Sequence, residues 1–275
     1  MKSNVVDVTK EYYDSSDADN FYFHVWGGED IHIGLYKNDS EPIADASVRT
    51  VEAMAERLKH LPAGARVLDV GAGYGGAGRY LARKHGLHVT CLNLSLAQNE
   101  RNRQMNRRQG LADNVDVVDG DFENLPFEAD SFDAVWSQDA ILHSGNRKRV
   151  FEEIDRVLKA GGDIVITDPM QKSGVDKKAL RPVLDRIHLE SMGSVADYKA
   201  FAADLGWSVQ SVDLHNHQLV NHYSRVRAEL RSRESDLREH CSAEYMDRMQ
   251  KGLGHWIEAG KQGRLEWGIL HFRKG

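Results

Sequence analysis

The stretch VLDVGAGYGG, residues 67–76, constrains this chain more than any other. An apolar run ends on glycine and passes straight into AGRYLARKHG (77–86), which has helical spacing and stops on Gly86. Gly71, Gly73 and Gly76 fit the G-x-G-x-x-G pattern. Glycine at these points lets the backbone bend tightly and approach a ligand closely. A strand that feeds a helix through such a loop implies a βαβ unit and a parallel sheet.

The flanking sequence repeats the alternation. HVTCLNL (88–94) reads as a second strand, after which Ser95 caps a helix to about Gln109 that Gly110 stops. VDVVDG (115–120) and FDAVWSQ (132–138) read as the third and fourth strands. NRKRVFEEIDRVLKAGG (146–162) reads as an amphipathic helix with a glycine stop, and DIVITDP (163–169) as the fifth strand. Continuous apolar strands are those buried on both faces. Right-handed crossovers then give a doubly wound sandwich.

Upstream, Asp45 opens a helical pattern through Leu58. Downstream come helical patterns at 177–189 and 194–205, a sixth strand at 207–215, a charged helical stretch at 218–260 and a last strand at 264–272. A helical excursion of about 45 residues between strands is too long for a loose loop and reads as a lid over the ligand crevice. The expected fold is α/β and Rossmann-like: a seven-stranded, mostly parallel sheet with a helical lid between the last two strands. One domain spans 1–275, with a cap at 1–44, a core at 45–215, the lid at 216–262 and the last strand at 263–275.

Composition narrows the class. Hydrophobic residues at 41% and charged residues at 28% suit a packed core and exclude a disordered chain. A net charge of −6 gives no basic field for nucleic acid. Cys91 and Cys241 cannot make a disulfide framework, which points to a reducing, cytoplasmic setting. No CxxC or HExxH spacing occurs, so no metal is expected. No apolar leader and no window near 18 apolar residues occur, so no membrane partner is expected.

The candidate site follows from the strand ends. Asp69, just before the glycine loop, can hold the loop or meet a cationic part of a ligand. The loop itself suits NAD, FAD and S-adenosylmethionine alike. Asn93 ends the second strand, where an acid that grips ribose hydroxyls is usual; an amide still donates and accepts. Asp121 can accept from an adenine amino group, with Phe122 against the ring. Gly71, Asn93, Asp121 and Gln138 all fall at strand carboxyl ends, where ligands bind in open α/β sheets.

These residues resemble class I S-adenosylmethionine-dependent methyltransferases over about 45–275. FYFHVWGGEDIHIGLY, CLNLSLAQNERNR, WSQDAILHS and ITDPMQ resemble, more narrowly, the sarcosine/dimethylglycine N-methyltransferases that make glycine betaine. The similarity to phosphoethanolamine N-methyltransferases is more distant. The resemblance implies that Gly71 and Gly73 line the methionine part of the cofactor, and that Asn93 and Leu94 sit at ribose and adenine. It implies Asp121 and Phe122 at adenine, and Gln138 at the methionine end. It implies a catalytic tyrosine–histidine pair, with the histidine at His143 and Tyr12, Tyr13 and Tyr22 competing for the tyrosine.

Methyl transfer to nitrogen needs a deprotonated amine held in line. His143 is the candidate base and Tyr22 the candidate tyrosine. Tyr22 and Trp26, four apart, share a helix face and can cover the sulfonium and the amine. A substrate carboxylate calls for arginine. Arg49, Arg181, Arg225 and Arg227 are the candidates; Arg225, with Tyr223 beside it in NHYSRVR, is favoured. A phosphoethanolamine-type or other small-amine methyltransferase is the alternative within the fold. An NAD-dependent oxidoreductase is the alternative outside it.

Overall fold

The computed structural model describes residues 16–187 and 189–275. Tyr12 and Tyr13, two of the competing tyrosines, lie outside the described residues. The chain opens with helix α1 (Ser16–Phe21), which runs into a π-helical turn (Tyr22–Gly27). Helix α2 (Ile43–Ala55) follows and ends in a 3-10 turn (Glu56–Leu58). Strand β1 (Arg66–Val70), helix α3 (Gly76–His85), strand β2 (His88–Asn93), helix α4 (Leu96–Arg108) and strands β3 (Val115–Asp119) and β4 (Phe132–Gln138) complete the alternation. Ser95 caps α4 by accepting from Gln98 N, and Gly86 ends α3 at φ 66°.

After β4 come a 3-10 turn (Ile141–His143), helix α5 (Arg147–Val157), strand β5 (Leu158–Thr167) and strand β6 (Met170–Gln171). Helices α6 (Lys177–Arg186) and α7 (Val195–Asp204), strand β7 (Ser208–Leu214), helices α8 (Asn216–Ser232), α9 (Glu234–Leu237) and α10 (Ala243–Lys261), and strands β8 (Leu265–Glu266) and β9 (Gly268–Arg273) end the chain. The seven-stranded sheet has the order β3-β2-β1-β4-β5-β9-β7. Strands β1 to β5 run parallel, and β9 is antiparallel to both its neighbours.

Three expectations change. The helix expected over 146–162 stops at Val157, and residues 158–162 begin β5 instead. Gly162 permits this: a Cβ there would lie 2.6 Å from Leu158 Cδ1 and 2.9 Å from Asp133 O. The last strand is split at Trp267, because β8 pairs with β6 in a separate ribbon. The stretch expected to form a lid is α8 and α10 with a short α9 between, because Ser242 starts a new helix by accepting from Tyr245 N.

Two apolar clusters pack the sheet faces. A third joins the N-terminal segment to α6, α8 and α10. Phe21, Tyr22, Val25 and Trp26 lie in it beside Leu184, Tyr223, Leu253 and Trp256. Burying side chains of this size contributes about 1.5–3 kcal/mol each. The N-terminal segment is also stitched to α8: Gln218 Oε1 accepts from Tyr36 N at 3.0 Å, and Gln218 Nε2 donates to Tyr36 O at 2.9 Å. His222 Nδ1 accepts from Gly34 N at 3.2 Å and lies 2.9 Å from the Tyr36 hydroxyl. Burial, with the charge of His32 adding to it, lowers His222 to about 3, so it is a neutral acceptor.

Candidate active site

The glycine loop curls against the end of β4. Gly71 has φ 80°, and a Cβ there would lie 2.3 Å from Ala140 Cβ. Only glycine meets both demands. Gly71 N and Ala72 N both donate to Leu92 O, at 2.8 and 3.1 Å, so the loop is pinned to β2. A cavity with about 760 Å³ of open space, partly continuous with solvent, lies beyond these strand ends. Gly71 and Gly73 line it, with Asn93 and Leu94 after β2, Asp121 and Phe122 after β3, and Gln138 and His143 after β4. Ser95, Gln98, Glu123 and Asp139 complete its polar lining. Asn93 Nδ2 donates to Gln98 Oε1 at 3.0 Å, which orients the amide expected to grip a diol.

A smaller cavity of about 290 Å³ adjoins it through Ile31, Gly71 and Gln138. Asp69 lines it from β1, and Glu29, Asp30 and His32 from the N-terminal segment. Burial pushes Asp69 up to about 7; the charge of His32 partly offsets this. Burial opposes protonation of His32, but the carboxylates of Asp30, 3.6 Å from its Nε2, and of Asp139 outweigh it and raise its pKa. The cavity is thus lined by three acids and one imidazole whose protonated form the acids favour. Asp30 reaches the loop so closely that a Cβ on Gly76 would lie 2.1 Å from its Oδ1.

A third cavity of about 410 Å³ shares Ile31, Asp139 and His143 with the first. Tyr22 and Trp26 line it from the π-helical turn, Tyr223 from α8 and Trp256 from α10. The Tyr22 and Trp26 rings lie 5.1 Å apart, and those of Tyr223 and Trp256 4.9 Å. Arg186, the last residue of α6, completes the box. Its guanidinium carbon lies 5.9, 5.8 and 5.9 Å from the ring centres of Trp26, Tyr223 and Trp256. That is within cation–π range of all three.

Asp139 joins the cavities. Its φ is 50°, a left-handed conformation that costs energy unless its surroundings impose it. They do: Asp139 N donates to Thr167 O at 2.8 Å, Oδ2 accepts from Ile33 N at 2.6 Å, and Oδ1 accepts from Trp267 Nε1 at 2.8 Å. Burial raises its pKa, against the pull of His32 and these donors. His143, on the turn after β4, is lowered to about 4 by burial, with the charge of Arg186 adding to it. It is neutral at pH 7 and so able to accept a proton.

Several expectations are redistributed. Trp26, expected at the cofactor, lines the aromatic cavity instead, because the π-helical turn points it toward α8. Arg225 is not among the residues lining these cavities; it lies near Tyr36, on whose hydroxyl its charge acts. Arg49 forms a two-pronged pair with Glu41, at 2.8 and 2.6 Å. Arg181 is exposed and pairs with Asp185 at 2.6 Å. Arg227 packs its guanidinium where a Cβ on Gly254 would be 3.3 Å away. Sequence reasoning missed Arg186, Trp256, Asp139, Asp30 and His32. A signal existed for Asp139, which sits inside the quoted WSQDAILHS.

The doubly wound sheet with its glycine loop, and a cofactor-sized cavity at the strand ends, define a class I methyltransferase; the methyltransferase domain family matches residues 68–166. A sarcosine/dimethylglycine N-methyltransferase of Aphanothece halophytica is 59% identical over 96% of this chain and 96% of its own. A dimethylglycine N-methyltransferase of Parasynechococcus marenigrum is 49% identical over 97% of this chain and 95% of its own. The crystal structure of a candidate sarcosine dimethylglycine methyltransferase from Galdieria sulphuraria has a TM-score of 0.91 at 49% identity, covering 96% of this chain and 99% of that one. The chain belongs to the sarcosine/dimethylglycine N-methyltransferase family.

Proposed function

We propose that this protein methylates the nitrogen of sarcosine and of dimethylglycine with S-adenosylmethionine, giving glycine betaine. The observation that carries this is the aromatic cavity, where Arg186 faces Tyr22, Trp26, Tyr223 and Trp256 while His143 and Asp139 form the wall shared with the glycine-loop cavity.

The residues present fit the cofactor. Among the described residues, Gln98 Nε2 and Gln138 Nε2 are buried without a hydrogen-bond partner. Both residues line the first cavity, and buried donors of this kind ask for a partner. Asn93 would take the ribose diol, Asp121 and Phe122 the adenine, and Gln138 with the acidic second cavity the methionine end. When bound, S-adenosylmethionine supplies an electrophilic methyl group on a sulfonium.

The chain does the rest by positioning and electrostatics. Arg186 receives the substrate carboxylate in a two-pronged ion pair. The rings around it exclude water, which lowers the local dielectric and strengthens that pair. The indole N–H groups of Trp26 and Trp256, both buried without a partner among the described residues, are further donors in the same wall. Neutral His143 accepts the amine proton; burial is the main factor opposing this, and the substrate carboxylate at Arg186 offsets the smaller opposition from the guanidinium charge. Asp139 holds negative charge where the positive charge shifts from sulfur to nitrogen. Tyr22 and Trp26 present aromatic faces to the methylated ammonium.

Among the described residues, Arg186 is the single lysine or arginine lining this cavity, which favours a monoanionic carboxylate over phosphoethanolamine. Among the described residues, no helix is long and apolar enough to cross a membrane. We read the setting as cytoplasmic, which two free buried cysteines support. The test is methyl transfer to glycine, sarcosine, dimethylglycine and phosphoethanolamine side by side. Sarcosine and dimethylglycine should be methylated; activity on phosphoethanolamine alone would overturn the reading.

A further inference from the structure

Arg147 is the first residue of α5. A cation there opposes the helix dipole, so its placement asks for a specific compensation. Acceptors from two separate segments supply it. Nη1 donates to Ser144 O at 3.0 Å and to Ser191 O at 3.2 Å, with a longer contact to Leu142 O at 3.4 Å. Nη2 donates to Ser191 Oγ at 2.6 Å. Leu142 and Ser144 flank His143. Ser191 lies on the segment that leads out of α6 after Arg186.

The ground behind this bridge is buried and closely packed. Asp168 is fully buried and accepts from the Tyr198 hydroxyl and from the backbone N–H of Leu142. Tyr198 in turn packs against Gly193, where a Cβ would lie 2.5 Å from its Cε1. The His143 turn, Asp168, Tyr198 and the 191–193 segment therefore form one block with the Arg147 guanidinium bridging its two sides. Arg147 itself lines none of the three cavities.

We propose that Arg147 is a positioning residue for the transfer, fixing His143 and Arg186 relative to each other across the aromatic cavity. The proposal rests on the functional reading above. With the carboxylate gripped at Arg186 and the proton accepted at His143, their separation decides how the amine is aimed. A misplacement of about 1 Å can lower the rate about 100-fold.

The test compares wild-type enzyme with Arg147→Met, Arg147→Lys, Ser191→Ala and the double variant Arg147→Met/Ser191→Ala. Arg147→Met should lower kcat/KM for dimethylglycine about 30- to 100-fold, through both KM and kcat, while S-adenosylhomocysteine affinity changes less than about twofold. Arg147→Lys should recover part of the loss, and Ser191→Ala should lose about fivefold. The double variant should be no worse than Arg147→Met, because both changes cut one bridge. An unchanged kcat/KM in Arg147→Met, or additive losses with an equal loss of S-adenosylhomocysteine affinity, overturns the proposal. Wild-type enzyme silent toward dimethylglycine overturns the functional reading and this proposal together. Active wild type with an unaffected Arg147→Met overturns this proposal alone.

Discussion

Trp267 donates its indole N–H to Asp139 Oδ1 across 2.8 Å. The bond ties the C-terminal ribbon to a residue that lines both ligand cavities, and the second carboxylate oxygen ties Ile33 of the N-terminal segment to the same point. Asp139 therefore holds three parts of the chain around the wall shared by the two cavities; in the proposed reaction it also supplies charge there.

Asp139→Asn separates the two roles. Asparagine tolerates the left-handed backbone and keeps a carbonyl for one donor, so the fold survives. The lost charge should lower kcat about 100-fold. Asp139→Ala orphans two N–H groups as well, each worth about 1–3 kcal/mol, and should lower Tm clearly. Steady-state kinetics and thermal melts of both variants check this. Equal kcat in Asp139→Asn and wild type would remove the electrostatic role.

His143→Ala removes the proposed proton acceptor while leaving the glycine loop and Gln138 in place. Turnover should fall about 100-fold or more. S-adenosylhomocysteine affinity should change far less, since His143 touches only one edge of that cavity. An unchanged rate would take His143 out of the mechanism.

Asp69 predicts a proton count. Its pKa is raised above the ordinary 3.8 to about 7, so its ionisation works against folding. That stability is complete below the ordinary value and is lost as the pH rises through 7. A bound ammonium favours the carboxylate, so cofactor binding near pH 6.5 should release about half a proton or more, falling to none near pH 9. Calorimetry of S-adenosylhomocysteine in buffers of different ionisation enthalpy reads this directly. Asp69→Asn should reduce the release, leaving only what His32 gives up beside the same ammonium; proton uptake would contradict the account.

What was legible in the sequence was what local pattern carries. Asn93 and Gln138 end strands, Gly71 and Asp121 follow within two residues of strand ends, and all four line the first cavity. The seven-stranded, mostly parallel sheet followed from apolar runs and glycine stops; that the last strand runs antiparallel to both its neighbours did not. The aromatic cavity was harder, because it depends on packing between distant helices. Arg186 reaches it only because Gly252 on α10 leaves room: a Cβ there would lie 2.5 Å from Arg186 Cδ. Nothing local distinguishes Arg186 from Arg181, one helical turn away and exposed. Trp26 likewise depends on a π-helical turn that spacing alone cannot separate from an α-helix. The β5 start at Leu158 was hidden because LKAGG reads equally well as a helix end.

The most direct measurement of the central claim compares dimethylglycine with N,N-dimethylethanolamine, in which an alcohol replaces the carboxylate. It is made with wild-type enzyme and with Arg186→Met, which keeps the bulk and removes the charge. Wild type should prefer dimethylglycine by about 100-fold or more in kcat/KM. Arg186→Met should lose that preference chiefly through KM for dimethylglycine, with S-adenosylhomocysteine affinity retained. A preference that persists in Arg186→Met would contradict the assignment of Arg186 as the carboxylate anchor.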